Sequence, residues 1–273
     1  MSFIALVTGA SRGAGRGIAA VLGERGATVY ITGRSHGECT TENLPGTIQE
    51  TAEEVTRRGG HGVAVVCDHT NDRDVERLFE RIEQETGRID LLVNNIWGGY
   101  EAYDGKGFSA PFWEQPTGHW EGMFVAGVRA HLMASRRTAP IMLRQGKGLI
   151  VSTIAWDRER YLGNLYYDVA KHAISRMILG MGRELRNHGV VAVAIAPGFM
   201  RTERVLAVVG DDPSFDRAQT ESPEYVGRSI AALHADPDHM RWSGKTVAGG
   251  TLAREYGIVD IDGRYIPPFE IPE

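Results

Sequence analysis

Phe3-Ile4-Ala5-Leu6-Val7-Thr8-Gly9-Ala10-Ser11-Arg12-Gly13-Ala14-Gly15-Arg16-Gly17 decides the fold. An apolar run enters a glycine turn and then a helical pattern, which reads as strand, tight loop and helix. Glycines at 9, 13 and 15 let the backbone bend sharply and approach a pyrophosphate, while the free N–H groups and dipole of the helix start attract its charge. A glycine turn is a weak signal alone. It gains weight because Tyr167-Asp168-Val169-Ala170-Lys171 supplies, much further along, a phenol and an ammonium one helical turn apart. Together the two segments point to nucleotide-dependent redox chemistry.

Outward from the first turn, short β-branched runs at 28–32, 63–67, 89–93, 149–153 and 190–195 alternate with helical spacing at 15–25, 48–58, 72–86, 119–143, 165–187 and 223–233. Gly244-Lys245-Thr246-Val247 supplies a last strand. The alternation predicts an α/β, Rossmann-like, doubly wound parallel sheet of about seven strands with helices on both faces. A single domain is expected over residues 1–273, with substrate loops at 97–116 and 199–219 and a C-terminal extension at 251–273. Both loops leave the carboxyl ends of strands, the edge where open α/β sheets bind ligands.

The 273 residues carry a formal charge of −5, 42% hydrophobic and 24% charged side chains. That balance suits a soluble globular chain and offers no basic surface for nucleic acid or anionic lipid. Cys39 and Cys67 are far apart and lack ligand spacing, so neither a disulfide framework nor a metal site is expected. With no charged leader before Phe3 and no apolar run near the ~20 residues a bilayer needs, a cytoplasmic location is expected.

Strand two ends Tyr30-Ile31-Thr32-Gly33-Arg34. An acid commonly stands there to take the adenosine ribose hydroxyls; a guanidinium suits a 2′-phosphate instead, and Arg12 can flank the same group. NADP(H) is therefore expected over NAD(H). Asp68 either accepts from the adenine amino group or caps the following loop. Asn94 and Asn95 close strand four and border the nucleotide. Residues four apart on a helix share a face, so Tyr167 and Lys171 point into one cleft, whereas Tyr166 pairs only with Ala170. A close ammonium favours the ionised phenol, which brings a group titrating near ~10 towards useful acid/base chemistry.

In this order, Thr8-Gly9 through Gly15, Asn94-Asn95, Tyr167-x-x-x-Lys171 and Pro197-Gly198 with Thr202 resemble the short-chain dehydrogenase/reductase superfamily. Stretches such as Phe112-Trp113-Glu114, Glu184 to Val190 and Leu252 to Gly257 look like the branch of dehydrogenase/reductase family member 1 and its bacterial relatives. The resemblance implies cofactor contacts from Gly9, Ser11, Arg12, Gly13, Gly15, Arg34, Asp68, Asn95, Tyr167, Lys171, Pro197, Gly198 and Thr202. It also implies a substrate lid after Thr202 and a homodimer or homotetramer formed through the helices at 119–143 and 165–187. Met177, Ile178 and Met181 either serve that contact or face the sheet.

The pattern breaks at two places. The family's catalytic serine ends strand five, where this chain reads Ile154 and Ala155. Thr153 shares the face of Ala155 and is the expected stand-in; Asp157, Asn164 or an ordered water are other donors. The helix asparagine that holds a water in the family's proton relay is also missing, with Gly127 at or near its place. Losing one oxyanion donor costs roughly two to three orders of magnitude in rate, about 3–4 kcal/mol, so a tyrosine–lysine pair retains useful activity.

Trp97, Tyr100, Tyr103, Phe108, Phe112 and Trp113 give the first loop an aromatic density that suits a small apolar or aromatic substrate, or a cluster packing on itself or a second subunit. Arg158, Arg160 and Arg201 lie near the inferred mouth. The expectation is an NADP(H)-dependent carbonyl reductase or alcohol dehydrogenase with Tyr167, Lys171 and Thr153 as catalytic residues. A nucleotide sensor without turnover and a non-redox dehydratase or rearrangement enzyme are the alternatives that Ile154 and Ala155 keep open.

Overall fold

A computed structural model of the chain describes residues 3–101, 108–156, 160–210, 212 and 216–270. Seven parallel strands form one sheet in the order β3-β2-β1-β4-β5-β6-β7. They are β1 (Ile4–Thr8), β2 (Thr28–Gly33), β3 (His61–Val66), β4 (Leu91–Asn94), β5 (Gly148–Thr153), β6 (Val190–Ala196) and β7 (Thr246–Ala248). Strand order reverses between β1 and β4, whose paired registers include Ala5 with Leu91 and Val7 with Val93. A crevice opens outside the carboxyl ends of strands at such a reversal.

Successive side chains of a strand face opposite ways, and both faces of this sheet are covered. Ala5 and Val7 pack with α1 (Gly13–Glu24), α2 (Ile48–Arg57), α7 (Pro223–Ala235) and α8 (Gly249–Glu255) through Ile18, Ile48, Val226 and Leu252. Ile4 and Leu6 pack on the other side with α3 (Asp72–Glu85), α4 (Ala130–Gln145) and α5 (Leu165–Leu185) through Leu78, Phe79, Met142 and Ile174. Ile178 is buried in this second core, with Met177 and Met181 packed against it, so these three side chains face the sheet.

Local chemistry sets the helix starts. Thr47 and Glu50 form a reciprocal capping box at α2, Asn71 caps α3, and Asn164 accepts from Tyr167 N at 3.0 Å to start α5. At the amino edge of the sheet Asp90 accepts from Ile4 N at 2.8 Å and pairs with Arg88. Gln145 clamps the backbone of Ile89 from both sides, at 2.9 Å each.

Two segments differ from the sequence expectation. The single helix expected at 119–143 is a wide π-helical turn, Glu121–Arg129, followed by α4. Its carbonyl at Ala126 is diverted to accept from Gly98 N at 3.1 Å, so the incoming loop opens the helical ladder. The stretch 199–219 contains a helix, α6 (Glu203–Val209), because Thr202 accepts from Val205 N and caps it. Among the described residues both cysteines are free, no cluster of His, Cys, Asp or Glu is arranged to hold a metal, and no helix is long and apolar enough to cross a membrane.

Where α1 meets α7 the backbones touch: a Cβ on Gly17 would lie 2.3 Å from the carbonyl carbon of Pro223. Gly17→Ala is expected to lower stability by about 1–3 kcal/mol by forcing the helices apart. Urea unfolding measures this, and an unchanged midpoint contradicts the packing described.

Candidate active site

The crevice is a cleft of about 430 Å³ at the carboxyl ends of β1, β4 and β5. Every site residue expected from the sequence lines it except Gly15. Gly15 lies beneath, where a Cβ would come within 2.4 Å of Gly9 O, and so allows α1 to pack on the turn. Gly9 and Gly13 have φ of 64° and 57°, the left-handed region that favours glycine.

At one end of the cleft the glycine turn presents the first amides of α1. Gly13 N donates to the Glu203 carboxylate at 2.8 Å, so a side chain from α6 already places an anion at the helix start. Arg34 forms an ion pair with Glu101 from the loop after β4. Arg12 is employed differently from the sequence expectation. Its guanidinium donates to Pro45 O at 3.0 Å, Thr41 Oγ1 at 2.9 Å and Ser35 Oγ at 2.9 Å, and also reaches the carbonyls of Leu44 and Gly46. These bonds fold the 35–46 loop against the cleft. Asp68 lines the cleft and its Oδ1 accepts from Thr70 N at 2.9 Å and Thr70 Oγ1 at 2.7 Å, bonds that cap the loop.

Asn95 ties three strand ends together. It takes Thr8 Oγ1 on its N–H at 3.1 Å, donates from Nδ2 to Gly9 O at 3.0 Å, and accepts from Thr153 Oγ1 at 2.9 Å. The Thr153 hydroxyl proton is therefore committed to Asn95 rather than pointed into the cleft. Asn164 is fully buried, with its oxygen on Tyr167 N and its nitrogen on Phe108 O at 2.9 Å. Asp157, Arg158 and Tyr103 lie outside the described residues. Arg201 is turned away from substrate duty, donating to Thr220 Oγ1 at 2.8 Å and pairing with buried Asp260.

Tyr167 and Lys171 share the inner wall, Lys171 buried and Tyr167 half-buried, with Lys171 Nζ 5.4 Å from the centroid of the Tyr167 ring. Burial, with a hydrogen bond to Tyr100, raises the Tyr167 phenol well above its ordinary value. This corrects the expectation of a phenol lowered by its neighbour: desolvation dominates, and the ammonium turns towards Trp97, 3.4 Å from that ring's centroid. Burial also pushes Lys171 down to about 7. His131, on Ile96 O at 3.1 Å, falls to about 3 through burial and then Lys171, and is neutral at ordinary pH. Of the loop aromatics, Trp97 and Phe108 each pack edge-on to Tyr167 at 5.3 Å, whereas Phe112 and Trp113 pack on each other at 5.2 Å and are exposed.

The profile of the short chain dehydrogenase family matches residues 3–211. The chain belongs to that family. Among related short-chain dehydrogenases, it is 39% identical to Dehydrogenase/reductase SDR family member 1 of Mus musculus over 277 aligned residues, 97% of this chain and 85% of that protein. A crystal structure of a short chain dehydrogenase from Mycobacterium thermoresistibile shares the fold at a TM-score of 0.82, with 24% identity over 98% of this chain and 92% of its own. A protein from Beutenbergia cavernae, named as an NAD(P)-dependent gluconate 5-dehydrogenase and carrying NADP at low occupancy, is 27% identical at a TM-score of 0.72, over 92% of this chain and 97% of its own.

Glu101, Glu203, His131 and Glu221 escaped the sequence reading, since each acts through partners distant in the chain. Glu221 lies behind Gly198, 1% exposed, with neither carboxyl oxygen taken by a partner side chain. Burial raises it to about 8, against the weaker opposing influence of the Gly198 amide and Arg201. An acid raised on folding binds its proton more tightly in the native chain, so its contribution is full below the unfolded value and is lost as pH rises towards 8. Glu221→Gln is expected to flatten the fall in melting temperature between pH 5 and pH 8. Parallel slopes for the two proteins across that window would falsify this.

Proposed function

We propose that this short-chain dehydrogenase is an NADP(H)-dependent carbonyl reductase or alcohol dehydrogenase acting on a small apolar or aromatic substrate. The observation that carries the reading is one cleft holding the glycine turn and Arg34 at one end and the Tyr167–Lys171 pair at the other. The residues fit a dinucleotide because the chain's own carboxylates already stand where its phosphates belong: Glu203 on the glycine-turn amide and Glu101 on Arg34. Gly9, Ser11 and Gly13 would hold the pyrophosphate, Arg34 and Ser35 the 2′-phosphate, Asn95 and Lys171 the nicotinamide ribose, and Pro197 to Thr202 the carboxamide. The NADP of the Beutenbergia cavernae protein supports this choice by likeness.

When bound, the dinucleotide supplies or accepts the hydride. Tyr167 Oη gives its proton to the substrate oxygen in reduction and takes it back in oxidation. Desolvation holds the Tyr167 phenol above its ordinary value, so it carries its proton at neutral pH before reduction. Lys171 keeps positive charge beside it and favours the phenolate left behind. Trp97, Tyr100 and Phe108 exclude water and offer apolar faces to the substrate. With Ile154 and Ala155 lacking donors and Thr153 held by Asn95, polarisation of the carbonyl falls, among the described residues, on Tyr167. The same observation favours a second reading, a nucleotide-binding protein without redox turnover. An assembly of two or four copies is supported by Leu132, Leu143 and Val169, which are exposed on α4 and α5.

Absorbance of the reduced cofactor, followed with ketones, quinones and aldehydes, decides between the readings. Turnover is expected, with Tyr167→Phe lowering kcat at least a hundredfold. Tight NADPH binding without turnover by the unaltered enzyme supports the second reading.

The phosphate assignments are tested by charge. Arg34→Ala is expected to weaken NADPH far more than NADH, and Glu101→Gln to tighten NADPH roughly threefold to tenfold with little effect on NADH. Glu203→Gln should tighten both. Cofactor fluorescence titration reads all three, and equal effects of Arg34→Ala on the two cofactors remove the 2′-phosphate assignment.

A further inference from the structure

Lys171 is 7% exposed, and no hydrogen-bond acceptor reaches its ammonium among the described residues. A buried cation needs a counter-charge, an acceptor or a polarisable face. What it meets is the indole of Trp97, with Nζ 3.4 Å from the ring centroid. The ring is seated by backbone lacking side chains. A Cβ on Gly127 would lie 2.9 Å from Trp97 Cζ3, and one on Gly99 would lie 2.6 Å from Cε2. Gly98 N bonds to Ala126 O at 3.1 Å and anchors the loop at the point where the helix is opened.

The indole N–H is itself buried without a partner. Leaving such a donor unsatisfied costs stability, so the ring is held there for its face and not for its polar edge.

We propose that Trp97 is a positioning residue for the reaction proposed above, its indole face holding the Lys171 ammonium and Gly127 serving as the seat that admits the ring. The inference rests on the reading of Tyr167 and Lys171 as the acid/base pair. It accounts for glycine where the resemblance places a water-holding asparagine: any side chain at 127 meets the ring. The other titratable groups near the ammonium are Tyr167 on its own helix, Tyr100 on the loop and neutral His131 on α4. Among the described residues no carboxylate offsets the burial of Lys171, which pushes the ammonium down to about 7. A ring face favours the charged form, so removing it while keeping apolar bulk lowers the lysine further.

The chain has four lysines, Lys106, Lys147, Lys171 and Lys245, so NMR of 13C-lysine-labelled protein follows each one, and Lys171→Met assigns the signal. Trp97→Leu is expected to lower the Lys171 pKa by about one unit and to move the matching limb of the kcat–pH profile with it. Trp97→Phe, which keeps a face, should shift it less. Gly127→Ala should act in the same direction as Trp97→Leu, and should have no added effect in the Trp97→Leu background.

An unshifted Lys171 in folded Trp97→Leu overturns the proposal, as does a Gly127→Ala effect of equal size in both backgrounds. Should Trp97→Leu fail to fold, Trp97→Phe and Gly127→Ala carry the same measurement. A Lys171 signal that moves as expected while the kcat–pH profile stays fixed leaves the contact standing and overturns the acid/base reading instead.

Discussion

Asn95 is the constraint on which the site depends. From the end of β4, its side chain and backbone amide bind Thr8 and Gly9 at the end of β1 and Thr153 at the end of β5. Twist alone would let the carboxyl edge of a parallel sheet splay. These bonds hold the glycine turn at a set height relative to β5, and therefore relative to the helix that carries Tyr167 and Lys171. They also consume the hydroxyl of Thr153, so the frame that aligns the cleft removes a donor from it.

The cleft balances its charges internally. Glu101 and Glu203 come from two different segments beyond the carboxyl ends of β4 and β6, and each lies against a group suited to phosphate. On the dinucleotide reading proposed above, cofactor entry would displace both carboxylates, linking occupancy at one end of the crevice to rearrangement of the loop and helix flanking the other. Trp97 and Tyr100 sit on the same loop as Glu101, against Lys171 and Tyr167 respectively. The ordering energy of that loop is thus shared between the two halves of the site.

The doubly wound sheet was legible because short β-branched apolar runs alternate with longer segments of helical spacing, a pattern written locally in the chain. The glycine turn and the Tyr167–Lys171 spacing were legible because their geometry is local. What the sequence hid depends on contacts made across the fold. Glu203 reaches Gly13 from 190 residues away, and Arg12 spends its donors on carbonyls that no side-chain pattern announces. The phenol's upward shift was missed for the same reason. Spacing shows that an ammonium is near, but only the surrounding rings show that both groups are dry and that the ammonium faces elsewhere. The π-helical turn after Glu121 was hidden because it is imposed by the loop packed against it.

Asp90 and Gln145 bolt the amino edge of the sheet, on the side opposite the cleft. Mechanical integrity and chemical selectivity therefore reside at separate ends of the same strands. Grafting a different aromatic segment between β4 and α4 would leave the bolted edge untouched, so the scaffold can explore new substrate ranges without first surrendering its cohesion.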